Sequence, residues 1–148
     1  MANHLRRQIR ERAATTLTGL TTTGSNVFQS RVYPMENAGL AGLCIYTTEE
    51  TVEMQSMGGT RNVSRDLTLI VEGYATDSAN VDDTLDQIGK EIEVAMSGDI
   101  TLNDLAQDSY LSSVEITLSG DGSTGIGKIT HSYTVVYQNA ENAPDAAL

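Results

Sequence analysis

Two overlapping glycine patterns and a run of carboxylates are where this sequence could carry chemistry. Gly120-Asp121-Gly122-Ser123-Thr124-Gly125 has the G-x-G-x-x-G spacing of a dinucleotide fingerprint, and Gly122 to Lys128 has most of the G-x-x-x-x-G-K spacing of a phosphate loop. Both work only when a helix follows directly, because its free N–H groups and positive dipole end hold the phosphate. Here Lys128 to Tyr137 is β-branched and alternating, and Ile129 stands where a phosphate loop needs a hydroxyl for magnesium. A hairpin turn is the better account of these glycines. Asp82, Asp83, Asp86, Glu91 and Glu93 could suggest paired carboxylates or a divalent-ion site, yet they lack the calcium-loop spacing and a histidine partner. Asp83 and Asp86 share a helix face, which fits weak magnesium binding or a subunit contact as well as a solvated surface. Cys44 is the only cysteine and lies in an apolar run, so it reads as a buried, reduced thiol of a cytosolic protein. His4 and His131 stand in unrelated contexts and offer it no base. Asn62-Val63-Ser64 fits a glycosylation acceptor, but no signal peptide is read that would make it relevant. No metal and no cofactor is expected.

Charge narrows the partners. The net charge of −11 is unevenly placed: residues 1–35 hold five arginines and one glutamate, whereas residues 36–148 hold four basic and nineteen acidic side chains. The acidic body would repel nucleic acid and anionic membrane. The arginine-rich start invites comparison with a mitochondrial transit peptide, but its apolar stripe reads as a core-facing helix. No run of about 18 apolar residues is present that would span a bilayer as a helix.

The elements follow from periodicity. Leu5, Ile9, Ala13, Leu17 and Leu20 recur at helical spacing, with Asn3 as a cap and Gly19 or Gly24 as the end. Arg6, Arg7 and Arg10 fall off that stripe, as a solvated face or as a docking surface for an acidic partner such as a second copy. Residues 27–34 read as a short strand stopped by Pro34, residues 36–39 as a turn, and residues 40–48 as a second strand. Gly58-Gly59 marks a two-residue turn in a long hairpin, whose outer part, about residues 49–63, is poor in core residues. Its Glu49, Glu50, Glu53, Met54, Met57 and Arg61 suit either cross-strand charge pairing in an exposed ribbon or an arm packing on a neighbour. Residues 65–74 are the central strand. Val81, Leu85, Ile88, Ile92 and Met96 then form one helical stripe, with Asp82 and Asp83 at its start and Gly98 at its end. Leu111, Val114, Ile116 and Leu118 mark one strand of a closing hairpin, and Ile129, Tyr133, Val135 and Tyr137 the other. One α+β domain over residues 1–137 is expected, a mostly antiparallel sheet packed against two helices with a protruding hairpin, followed by a flexible acidic tail at 138–148.

This arrangement resembles the tail terminator proteins of long-tailed bacteriophages, the lambda-like minor tail protein U family. The features that match are the Leu5-Arg6-Arg7-Gln8-Ile9 helix, the Arg31-Val32-Tyr33-Pro34 strand end and the Cys44-Ile45-Tyr46-Thr47 strand. The acidic hairpin, the Asp82-Asp83 helix and the Tyr133-Thr134-Val135-Val136-Tyr137 strand complete the likeness. The resemblance implies a non-enzymatic virion protein at the head–tail junction, assembled in the host cytoplasm as a six-membered ring. That ring caps the tail tube, stops its polymerisation and meets a head-completion or neck protein, with DNA only passing through the lumen. It supplies no catalytic residue to carry over. The rival readings are a tail tube subunit or head-completion protein and, in a different class, a small ligand-binding or enzymatic α+β domain. That last reading would need a pocket with convergent polar groups, for which the sequence shows no candidate set.

Overall fold

The computed structural model describes residues 2–29, 41–76, 80–119 and 126–148. Two helices, α1 (Leu5–Leu17) and α2 (Val81–Ser97), pack on a five-stranded sheet of β1 (Val27–Phe28), β2 (Gly42–Met54), β3 (Asn62–Thr76), β4 (Asp108–Ser119) and β5 (Ile126–Ala140). The strand order is β1-β2-β3-β5-β4. Only β1 and β2 pair in parallel; every other neighbour is antiparallel. The fold is α+β, as the periodicity predicts. The proposed stop at Pro34, the turn at 36–39 and the glycines at 120–125 lie outside the described residues.

Both helices bury the stripes read from the sequence. Leu5, Ile9, Ala13 and Leu17 of α1 and Leu85, Ile88, Ile92 and Met96 of α2 are fully or almost fully buried against Leu43, Ile45, Leu67, Leu69, Val71, Ile129 and Tyr137. The cap of α1 is His4 rather than Asn3: His4 Nδ1 accepts a hydrogen bond from the Arg6 N–H at 3.1 Å. Helix α2 packs where glycines of the sheet leave no room for a Cβ. A Cβ on Gly73 would stand 2.7 Å from Ile88 Cγ2, and one on Gly127 2.6 Å from Val81 Cγ2. Strand β5 shows the pleat directly, with its odd residues from Gly127 to Asn139 buried on the helix side and its even residues half-buried on the other.

Three expectations change. The hairpin forms, with Met54 opposite Val63, but it closes through the longer loop 56–61 rather than a two-residue turn at Gly58-Gly59, since Gln55 N–H still donates to Asn62 C=O. It is also not a free-standing ribbon. Strand β5 pairs with β3 along its whole length, from Asn62 opposite Ala140 onward, so only the loop reaches past the sheet. The third concerns the tail, where residues 138–140 belong to β5 and the rest turns back. Leu148 N–H bonds Gln138 C=O at 3.0 Å, and Pro144 C=O accepts from Leu5 N–H at 2.8 Å. The first N–H groups of a helix have no partner inside it, and here the acidic tail supplies one.

Candidate assembly interface

The charged residues read as contacts are mostly engaged within the chain. Between Thr47 and Glu50 the β2–β3 register slips, and this bulge reverses which side of β2 each residue faces. Glu50 is thereby turned inward, where its side chain is only 7% exposed. Arg6 Nη1 meets it at 2.7 Å and Arg65 Nη1 at 3.0 Å, and the Tyr137 hydroxyl donates to its other oxygen. Burial alone would raise the Glu50 carboxyl; the bonds from Tyr137, Arg6 and Arg65 outweigh it and hold the group below its ordinary value. Arg7 pairs with Glu11 at 2.7 Å one helical turn on, and Arg10 donates to Gln29 at 3.1 Å. Arg61 makes a two-bond pair with Glu141 at 2.8 and 2.7 Å on the open surface. Glu49, Glu53 and Met54 are exposed, and Met57 at the loop tip is 94% exposed.

The residues weighed for chemistry do not converge. Cys44 of β2 and His131 of β5 flank β3 at adjacent levels, but Cys44 stands opposite Glu72 and His131 opposite Val71, so they point to opposite faces of the sheet. Burial, with the nearby Glu72 carboxylate, pushes the Cys44 thiol up to about 11, away from nucleophile range. Glu72 itself is buried and accepts from the hydroxyls of Tyr46 and Tyr74. Asp82, Asp83 and Asp86 are exposed on α2, and Glu91 holds Thr22 N–H and Oγ1 at 2.9 and 2.6 Å. Contrary to the expectation that this run lacks a histidine partner, Glu93 meets His131 Nε2 at 3.1 Å, because β5 brings His131 under α2. Among the described residues no three His, Cys, Asp or Glu side chains are placed to hold a metal. The residues after the glycine pattern, Ile126–Ala140, form a strand and not the helix that phosphate binding needs.

A different surface stands out, on the strand that periodicity read only as one half of the closing hairpin. Strand β4 is an edge strand, and every described side chain from Tyr110 to Leu118 is exposed. A slip between Leu111 and Ser113 explains the three-residue step from Leu111 to Val114. Because of it, Leu111, Val114, Ile116 and Leu118 all pair with the helix-side residues of β5 and form one stripe. Helix α2 packs on β3 and β5 and leaves that stripe 36–56% exposed. Where β4 begins, Met96, Ile100, Tyr110, Leu111 and Tyr133 line a groove of about 320 Å³ with Glu93 on its rim. An unpaired strand edge beside bare apolar side chains is a template for pairing with another chain, and monomeric proteins normally guard against it.

No family model matches the chain, and no curated protein matches it. Among solved structures the chain is similar to one from the virion of a native gene transfer agent particle. The two are 11% identical and overlap over 92% of each chain at a TM-score of 0.45, an overlap too loose to assign a function.

Proposed function

We propose that this chain is a structural protein of a phage-type virion that works as a ring, and specifically a tail terminator that caps the tail tube, stops its growth and offers the surface for head joining. The observation that carries the reading is the pair of bare surfaces on opposite sides of one sheet: the apolar β4 edge, and the end of β2 with the loop after it, where Val52, Met54 and Met57 are exposed. Surfaces that are unlike and lie on opposite sides join copies head to tail, and such a contact closes into a ring when its rotation permits. The order of elements in the sequence, which resembles the tail terminator family, adds the place of that ring in the particle. The partners are then the tube protein on one side and a head-completion protein on the other.

Sedimentation velocity across concentration, followed by electron microscopy of any oligomer, tests this. A closed ring of about six subunits, or recruitment of the protein to one end of isolated tail tubes, is the expected result. Long tubes would make it a tube subunit instead, and a protein that stays monomeric and ignores tubes would end the reading.

A further inference from the structure

The groove at the start of β4 and the loop at the end of β2 match each other in face, height, charge and chemistry. Val52 and Met54 stand opposite Arg65 and Val63, which puts them on the helix side of the sheet, the same side as Leu111, Val114, Ile116 and Leu118. Asp108 is level with Asp66, and Met54 with Val63, so β4 begins only three residues, about 10 Å, below the loop. Strands β2 and β4 run in opposite directions. A neighbour placed beside β4 in the same orientation therefore presents an antiparallel strand, with its apolar side chains on the same face and its loop beside the groove. Residues 54–62 carry Arg61 and no carboxylate, whereas Glu93 rims the groove and Asp108 starts β4. In a chain of net charge −11 such local complementarity is what lets two copies approach. Arg61 is held by Glu141 in an exposed pair of the kind that exchanges partners at little cost.

From these matches we propose that Met57 and its flanking loop on one copy seat in the groove lined by Met96, Ile100, Tyr110, Leu111 and Tyr133 of the next. This rests on the ring reading and names its contact. The β4 edge, about 40 Å long and about 10 Å thick, offers roughly 400 Å², about half of the roughly 800 Å² per partner that a stable interface buries. The edge needs the seated loop to make up the rest. Methionine is the side chain best able to fill an irregular groove. The alternative, two β4 edges pairing about a two-fold axis, leaves Met57 bare and brings Asp108 and Glu115 of each copy toward those of the other, which disfavours it.

Two variants of exposed residues test the contact without touching the core. Met57→Asp and Ile100→Asp should each weaken self-association about tenfold or more, the loss expected from one large apolar contact. Mixed together they should form a complex of two subunits and stop, because one intact loop meets one intact groove. A second arm uses Met57→Cys with Ile100→Cys. Cys44 is buried and its thiol is raised, so it does not compete. Oxidation should give covalent oligomers with both cysteines present and none with either alone. A wild-type ring that Met57→Asp leaves unchanged overturns the seat while sparing the ring. A wild-type protein that neither assembles nor joins tail tubes ends the ring reading. In that case the cysteine pair still decides the contact, since no cross-link at high concentration rejects it. Cross-linking by Met57→Cys alone would reveal a two-fold contact and overturn the proposal.

Discussion

The two long strands farthest out on either side of the sheet, β2 and β4, solve the same problem in opposite ways. In its outer half β2 is crowded with carboxylates, and a bulge turns one of them, Glu50, inward onto Arg6, Arg65 and Tyr137. Strand β4 carries Asp108 and Glu115 as its only charges and shows an apolar stripe that neither α1 nor α2 covers among the described residues. Charges along an edge restrict pairing to a partner that complements them, whereas an apolar edge invites it. The difference teaches that charged side chains such as Glu50, Arg6 and Arg65, which look like partner contacts, are engaged within the subunit. The plain apolar strand is the one left bare.

The largest effect that would sharpen this contrast is loss of Glu50. Glu50→Ala leaves the buried Tyr137 hydroxyl without its acceptor and Arg65 with only its bond to Asn139, and breaking such a pair costs about 3 kcal/mol. For a chain of this size the melting temperature should fall by roughly 6–12 °C, readable by circular dichroism. A fall of only a degree or two would mean that the cluster is a surface ornament and that Glu50 is free for a partner. Next in size is Gly127→Ala. Its Cβ would meet Val81 and Leu85 at under 3 Å, and overpacking of this kind costs about 1–3 kcal/mol. Urea unfolding that showed no change would mean that α2 can lift from the sheet and reach over β4.

Acid should act through the same cluster. The Glu50 carboxyl is held below the ordinary 4.5, so its contribution is fully present above that value and is lost as pH falls through the lower folded value. Stability should therefore drop below about pH 4.5, and Glu50→Gln should flatten that drop in a pH series of urea unfolding. An unchanged slope in the variant would assign the acid sensitivity elsewhere.

The smallest effects on the monomer belong to the exposed positions. Ile116→Thr should stay within about 0.5 kcal/mol of wild type while lowering self-association. A cost of several kcal/mol would move β4 back into the core and erase the contrast. Arginine variants also separate the two roles. Arg6→Glu sets a second carboxylate against Glu50 and should destabilise the monomer, whereas Arg10→Glu, at a surface bond to Gln29, should not. Arg10, with Arg7, is thus the cleaner test of whether α1 docks on an acidic partner.

The sequence by itself determined the two helices, the central strand, the closing hairpin and the class of the fold. Apolar residues at period 3.6 or 2 face a core wherever the chain finally puts it. It also disqualified the phosphate-loop pattern, because the alternation after Gly127 forbids a helix. The candidate interface was only half legible. Met57 and Arg61 could be picked out, but the stripe of Leu111, Val114, Ile116 and Leu118 reads like any half-buried strand. The one local sign is the three-residue step at Ser112, which marks a bulge without saying which face stays bare. Whether an apolar face is covered depends on where α2 crosses the sheet, and that is set by Gly73, Gly89 and Gly127 drawing the helix over β3 and β5. The partners of the charged residues were equally invisible. Arg6 and Glu50 are 44 positions apart, Glu50 and Tyr137 are 87 apart, and Pro144 reaches back to Leu5. Those distances close only when the sheet is assembled, so tertiary structure alone decided which residues serve the fold and which are left bare.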